Sequence, residues 1–183
     1  GLSFQADGPL DMRLDLSEGQ TAASIVNTKE EKALADLIWR NGEERLSRRI
    51  ARRIVEAREE NPIETTAQLA EIVRLAYPAA VRHKSRMHPA TKTFQAIRIA
   101  VNNELGVLDE LLAMLPDVLS PGGRCGIISF HSLEDRRVKH RFRDLQAAGQ
   151  VELLTKKPIT ASPEEIDRNP RSRSAKLRGI IRQ

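Results

Sequence analysis

Sulfur, aromatic rings and long apolar runs are all scarce in this sequence, and each shortage removes a class of function. One cysteine, Cys125, occurs in 183 residues, so there is no internal disulfide and no second thiolate to complete a CxxC zinc or redox site. That usage fits a reducing, cytoplasmic setting. Aromatic residues make up 3% of the chain, so stacking platforms of the kind that hold single-stranded nucleic acid cannot be numerous, and the core must be aliphatic. No apolar run approaches the roughly 20 residues of a membrane span, and Gly1 opens no basic-then-apolar stretch of signal-peptide type. Neither a membrane protein nor a secreted one is expected. His83, His88, His131 and His140 match no ligand spacing for zinc, and no metal is expected. An initiator methionine is also missing, which leads to the expectation that a longer protein has been cut.

What is present is charge, at 30% of residues, with 30 Lys and Arg against 25 Asp and Glu. The net +5 is a modest hint of a polyanionic partner. Its distribution says more. Residues 82 to 93 carry four Lys or Arg, two His and no acid, and residues 168 to 183 carry six cations and no acid. At 40% hydrophobic, the chain can fill one core, or one core and a small satellite.

Residues 1 to 28 hold Gly8, Pro9 and Gly19 without a sustained period and read as a loop. Thr28-Lys-Glu-Glu31 reads as a capping box for a helix turning Leu34, Leu37 and Ile38 inward. Asn41-Gly42 ends it, and a second helix is expected from about Glu43 to Glu59, with Leu46, Ile50, Ile54 and Ala57 on one face and Arg45, Arg48, Arg49 and Arg52 on the other. Thr65-Thr-Ala-Gln68 caps a third. Together they predict a three-helix unit, followed by a basic loop over 82 to 93. Phe94, Ile97, Val101, Leu105, Leu108, Leu112 and Leu115 then predict one long amphipathic helix ending before Pro116.

Gly126 to Phe130 has the size and composition of a buried strand, and the helix that follows bears Val138, Phe142 and Leu145. Val151 to Thr155 and Leu177 to Ile181 are further strand candidates, with a short capped helix after Ser162. A strand running into a capped helix is one βα unit of a doubly wound α/β sheet, where ligands gather at strand carboxyl ends. Parallel strands need cover on both faces, so part of such a sheet is expected upstream. The chain itself has no GxGxxG after a strand and no P-loop.

Several residues could carry chemistry. The arginines of the second helix could track phosphates, or form a solvated face paired with Glu43, Glu44, Glu56 and Glu59. His131, Ser132, Glu134 and Asp135 are too close in sequence to form a hydrolytic triad, and no G-x-S-x-G elbow exists. Glu134 and Asp135 also suit a first helical turn on charge alone. Asp7, Asp11, Arg13 and Asp15 crowd one loop, which could equally be a turn closed by an Asp11–Arg13 contact.

Taken together, Gly8-Pro-Leu-Asp-Met-Arg13, Asn41-Gly-Glu-Glu-Arg45, His88-Pro-Ala-Thr-Lys-Thr-Phe-Gln95, Arg98-Ile-Ala-Val-Asn-Asn-Glu-Leu105, Pro121-Gly-Gly-Arg124, Ile128-Ser-Phe-His-Ser-Leu-Glu-Asp-Arg136 and Asn169-Pro-Arg-Ser-Arg-Ser-Ala-Lys-Leu-Arg178 resemble one family. It is the small-subunit ribosomal RNA methyltransferase H family, also called MraW, and the similarity runs in order along nearly the whole chain. The resemblance implies a partial class I (Rossmann-like) methyltransferase domain with an all-α helical insertion domain. Residues 1–28 would be a loop segment of the methyltransferase domain, 29–85 the RNA-recognizing insertion and 86–183 the C-terminal half of that domain. It further implies S-adenosylmethionine as cofactor and N4 methylation of a cytidine in the decoding region of small-subunit rRNA. The glycine-rich cofactor loop and the acidic ribose-binding residue of the family have no match here, so no cofactor-binding residue is identified, the main loop is expected upstream, and this chain by itself is expected to be inactive.

An amino group on cytosine is a weak nucleophile that needs a hydrogen-bond acceptor and in-line placement, in a pocket that holds an unstacked base. Asp11, Arg13, His131, Ser132 and Asn169 are the expected lining of that pocket. Arg86, Lys92, Arg171, Arg173 and Lys176 are the expected grips on RNA phosphates. Small-subunit rRNA or the assembled small subunit is the expected partner. A noncatalytic RNA- or ribosome-binding module is the alternative, and a protein-interaction role for the helical unit is a third.

Overall fold

A computed structural model describes residues 6–82 and 88–183. The chain forms two compact units, Gly1–Glu104 and Leu105–Gln183. No helix of the described residues is long and apolar enough to cross a membrane.

The first unit is helical: α1 (Ala22–Thr28), α2 (Glu31–Gly42), α3 (Ser47–Glu60), α4 (Thr66–Ala76), the short α5 (Ala79–Arg82) and α6 (Thr91–Val101). Its core is aliphatic, with Leu34, Ile38, Ile50, Ile54, Leu69, Val73 and Ile97 buried together. The expectation that residues 1 to 28 are a loop is corrected. Thr21 accepts from the Ser24 amide as an N-cap, and Ala22, Ile25 and Val26 bury one stripe. Thr28 therefore ends α1 and caps nothing, while Glu30 precedes α2 without a side-chain cap. Before α1, Leu10 and Met12 also enter the core, pinned by Leu10 N–H to the Glu64 carbonyl and Thr66 N–H to the Gly8 carbonyl.

The Thr65–Gln68 capping box forms as the spacing predicts. Helix α3 starts at Ser47 rather than Glu43. Glu43 adopts a left-handed conformation (φ 49°) that ends α2, and Glu44 is drawn inside, where Tyr77 Oη donates to its carboxylate at 2.6 Å. The basic loop also ends earlier than expected, because α6 begins at Thr91.

The single helix expected from Phe94 to Leu115 is two. A left-handed Asn103 (φ 48°) separates α6 from α7 (Glu104–Val118). Asn102 closes α6, and its side-chain amide donates to the Met12 carbonyl and accepts from Leu14 N–H, each at 2.8 Å. Pro116 lies inside α7 rather than beyond it, near the carboxyl end where one lost amide bond is easily tolerated.

From Leu105 on, the second unit comprises most of α7, β1 (Arg124–Ser129), α8 (Ser132–Ala147), β2 (Val151–Leu153), β3 (Ile159–Thr160), α9 (Pro163–Arg168), a 3-10 turn (Pro170–Ser174) and β4 (Lys176–Arg182). The sheet order is β1-β4-β2, with β3 also on β4. Every ladder among the described strands is antiparallel, which corrects the expected parallel pairing. Because β1 and β2 each oppose β4, they run in the same direction. Nor is β1 buried on both faces: its burial alternates. Cys125 and Ile127 join Val138, Phe142, Leu145 and Ile180 in the core, while Ile128 is 56% exposed.

Candidate active site and basic surface

In the first unit, the loop carrying Asp11 and Arg13 is tied down by side-chain hydrogen bonds. Arg13 donates through Nε to Asp11 Oδ1 at 2.9 Å and through Nη2 to Oδ2 at 3.0 Å. The guanidinium holds the Asp11 carboxyl below its ordinary value, through its hydrogen bonds first, so the carboxylate is anionic at neutral pH. Between them Met12 is buried in a left-handed conformation, φ 64°, which costs a non-glycine residue energy and recurs at functional loops. The Asn102 side-chain amide ties down the backbone that leaves that strained position, donating to the Met12 carbonyl and accepting from Leu14 N–H. The contact that could have been an ordinary turn is thus part of a preorganized loop. Asn102 is the residue the sequence reading missed; its place at the end of a helical period was the available signal.

In the second unit, β1 ends at Ser129 and the chain enters α8 through His131. Glu134 N–H donates to His131 Nδ1 at 3.3 Å, and the Glu134 carboxylate accepts from the Phe130 and His131 amides at 2.8 and 3.3 Å. His131 is thereby an N-cap in a reciprocal box. With Nδ1 accepting, a neutral ring carries its proton on Nε2, which faces Glu134 Oε1 at 3.4 Å. Both ring nitrogens are turned toward Glu134, so His131 fixes the strand end. Ser132, the next residue, is exposed.

Asp135 does more than complement a helix terminus. It is 9% exposed and receives Arg178 Nε at 2.7 Å and Lys176 Nζ at 3.4 Å. The Arg178 hydrogen bonds hold its carboxyl below the ordinary value. Lys176 is thus shared between this carboxylate and solvent. Asn169 is exposed and accepts at its carbonyl from Ser172 Oγ at 2.8 Å, which closes the turn presenting Arg171 and Arg173 outward.

Of the remaining expected phosphate grips, Arg86 lies outside the described residues. Lys92 donates to the Glu43 carbonyl at 3.2 Å. On α3 two of the expected acidic partners are turned to other groups. Glu44 is engaged by Tyr77 and Glu56 by Arg53. Arg52 lies 3.9 Å from Glu31. Arg45, Arg48 and Arg49 are exposed. The structure therefore brings Asp11 to Arg13 in one unit, and His131, Ser132 and the Asn169 turn into the other.

A helical unit joined in sequence to a mixed α/β unit, the first holding the Asp11–Arg13 pair at a strained loop and the second a capped strand end, defines a mixed α/β protein. The chain belongs to the MraW methylase family, whose model matches residues 1–183. A protein of Koribacter versatilis is 58% identical over 183 residues, covering 100% of this chain and 58% of its own length. Relatives from Acidobacterium capsulatum and a Synechocystis species are 59% and 56% identical over 178 residues. All three are named ribosomal RNA small subunit methyltransferase H. The chain spans 58%, 58% and 56% of their respective lengths.

Proposed function

We propose that this chain is a piece of an S-adenosylmethionine-dependent methyltransferase that modifies the N4 amine of a cytidine in the decoding region of small-subunit rRNA. The observation that carries the reading is the family match over residues 1–183, together with relatives named for small-subunit rRNA methylation.

The described residues do not fit the cofactor. The Glu134 carboxylate, just after the end of β1, is spent on the Phe130 and His131 amides, and a Cβ at Gly122 or Gly149 would meet no atom within 4 Å, so neither glycine marks a close backbone approach of the kind a cofactor cradle needs. The principal cofactor loop is assigned to the part of the protein outside this chain. The free outer edge of β1 among the described strands, and the common direction of β1 and β2, suit a sheet that continues there. On this reading residues 1–28 and 86–183 belong to the methyltransferase domain and 29–85 to an insertion that meets RNA.

The chain's own residues would then supply the target-base side. The N4 lone pair is delocalized into the ring, and an anion accepting an N–H bond makes it more available. Asp11 is held charged and oriented for that by Arg13. His131 and Ser132 at the strand end and Asn169 on its turn are the remaining groups assigned to the pocket. Arg171, Arg173 and Lys176 would position the strand without reading its sequence. Small-subunit rRNA, free or assembled, is the partner, in the cytoplasm.

Two measurements test this. Calorimetry of the 183-residue chain with S-adenosylmethionine is expected to show no binding, and tight binding would overturn the assignment of the cofactor loop elsewhere. Nucleoside mass spectrometry of small-subunit RNA treated with the full-length protein is expected to show N4-methylcytidine. Methylation of another atom, or none, overturns the activity.

A further inference from the structure

Four cations converge at a place the methylation reading does not use. Lys139 and Arg143 are one helical turn apart on α8, Lys156 follows β2, and Arg178 comes from β4; all line one recess in the second unit. Arg178 is neutralized by Asp135. Among the described residues, Lys139, Arg143 and Lys156 form no ion pair, and Asp135 already divides its charge between Arg178 and Lys176. The recess therefore carries an excess of about three positive charges.

Its wall also contains an unmet donor. Thr155 lines the same recess, and its hydroxyl is buried without a hydrogen-bond partner among the described residues. A buried hydroxyl in that state is uncommon and calls for a partner. The recess has space of about 10 Å³, room for a single water-sized atom and far too little for a base or a sugar. A donor in the wall of a one-oxygen recess that cations also line is matched by a tetrahedral oxyanion that inserts one oxygen and leaves the rest outside.

We propose that this recess binds a backbone phosphate of RNA, one non-bridging oxygen accepting from the Thr155 hydroxyl while Lys139, Arg143 and Lys156 neutralize the others. The choice of RNA as the source rests on the function proposed above. Such a contact anchors a strand independently of sequence. It places RNA across α8 and the segment after β2, in addition to the Asn169–Lys176 turn.

Fluorescence anisotropy with a labelled fragment of small-subunit RNA, across a salt series, tests the site in the 183-residue chain. Lys139→Gln with Lys156→Gln is expected to weaken binding about tenfold and to flatten the log–log salt slope by about one. Thr155→Val removes the donor but no charge, so it is expected to weaken binding about fivefold with the slope unchanged. Circular dichroism of each variant confirms the fold. If the parent chain binds RNA and all variants match it in affinity and slope, the recess proposal is overturned while the RNA reading stands. A parent chain that binds no RNA overturns both. Inorganic phosphate is the second arm: a Thr155-dependent affinity equal to that of the RNA would identify the occupant as free phosphate and overturn the RNA assignment.

Discussion

Asp135 on α8 and Arg178 on β4 form a two-pronged ion pair, Nε to Oδ1 at 2.7 Å and Nη2 to Oδ2 at 3.3 Å, with both side chains 12% exposed. It fastens the helix to the central strand of the sheet. Asp135→Asn leaves Arg178 buried without an anion and is expected to cost about 3 kcal/mol, read as a lower urea midpoint. The pair also predicts acid lability. The folded-state carboxyl titrates below its ordinary value of 3.8, so its contribution is complete above about pH 4 and is lost as pH falls through the folded value. Urea midpoints between pH 5 and 2 should fall more steeply for the parent chain than for Asp135→Asn.

The chain has one tyrosine, which makes the Tyr77–Glu44 bond directly observable. Burial, and then the hydrogen bond to Glu44, raise the phenol well above its ordinary value of 10. Ultraviolet titration of the folded protein should show no phenolate at pH 10 to 11, and the unfolded chain should ionize there. Since the folded state retains the proton, stability falls as pH rises above 10. Tyr77→Phe leaves the Glu44 carboxylate, 4% exposed, short of a donor and is expected to cost about 1–3 kcal/mol.

Gly42→Ala separates intrinsic helix preference from packing. On propensity alone it would stabilize the end of α2 by up to about 1 kcal/mol. A Cβ there would stand 2.6 Å from the Lys92 carbonyl oxygen and 3.2 Å from the Ala96 Cβ, so α2 and α6 would have to part. A net loss of about 1–3 kcal/mol is expected, and a raised melting temperature would contradict it.

Asn102→Ala removes the clamp on the Met12 loop. Leu14 N–H and the Met12 carbonyl lose their partners, and the left-handed Met12 loses its restraint. The Leu14 amide should exchange with deuterium at least tenfold faster, at a stability cost of about 1–3 kcal/mol. Amides in α8 should be unaffected.

Much of the fold was legible because it rests on local chemistry. The Thr65–Gln68 box and the Ser162 cap are short-range patterns, and both form. Where the reading failed, a distant partner had overruled a local preference. The apolar period runs straight past Asn102 in sequence, yet Met12 and Leu14, some 90 residues away, claim its side-chain amide. Asp135 looked like an ordinary first-turn acid because Arg178 lies 43 residues on. The Asp11–Arg13 pair was visible as a possible contact, but the strained backbone between them was not, since nothing about a methionine signals a positive φ. The antiparallel ladders were invisible for the same reason: strand direction belongs to the pairing rather than to either strand.

One face of that sheet governs how the chain behaves in a tube. Ile128 and Ile159 are 56% and 55% exposed, they flank Leu177 in register, and β1 has a ladder on one side only among the described strands. An uncovered apolar face ending in an open backbone edge is a template for strand addition between molecules. Concentration, rather than heat, is the condition to watch in handling this chain: at high concentration turbidity should appear well below the melting temperature, and a charged substitution at Ile128 should delay it.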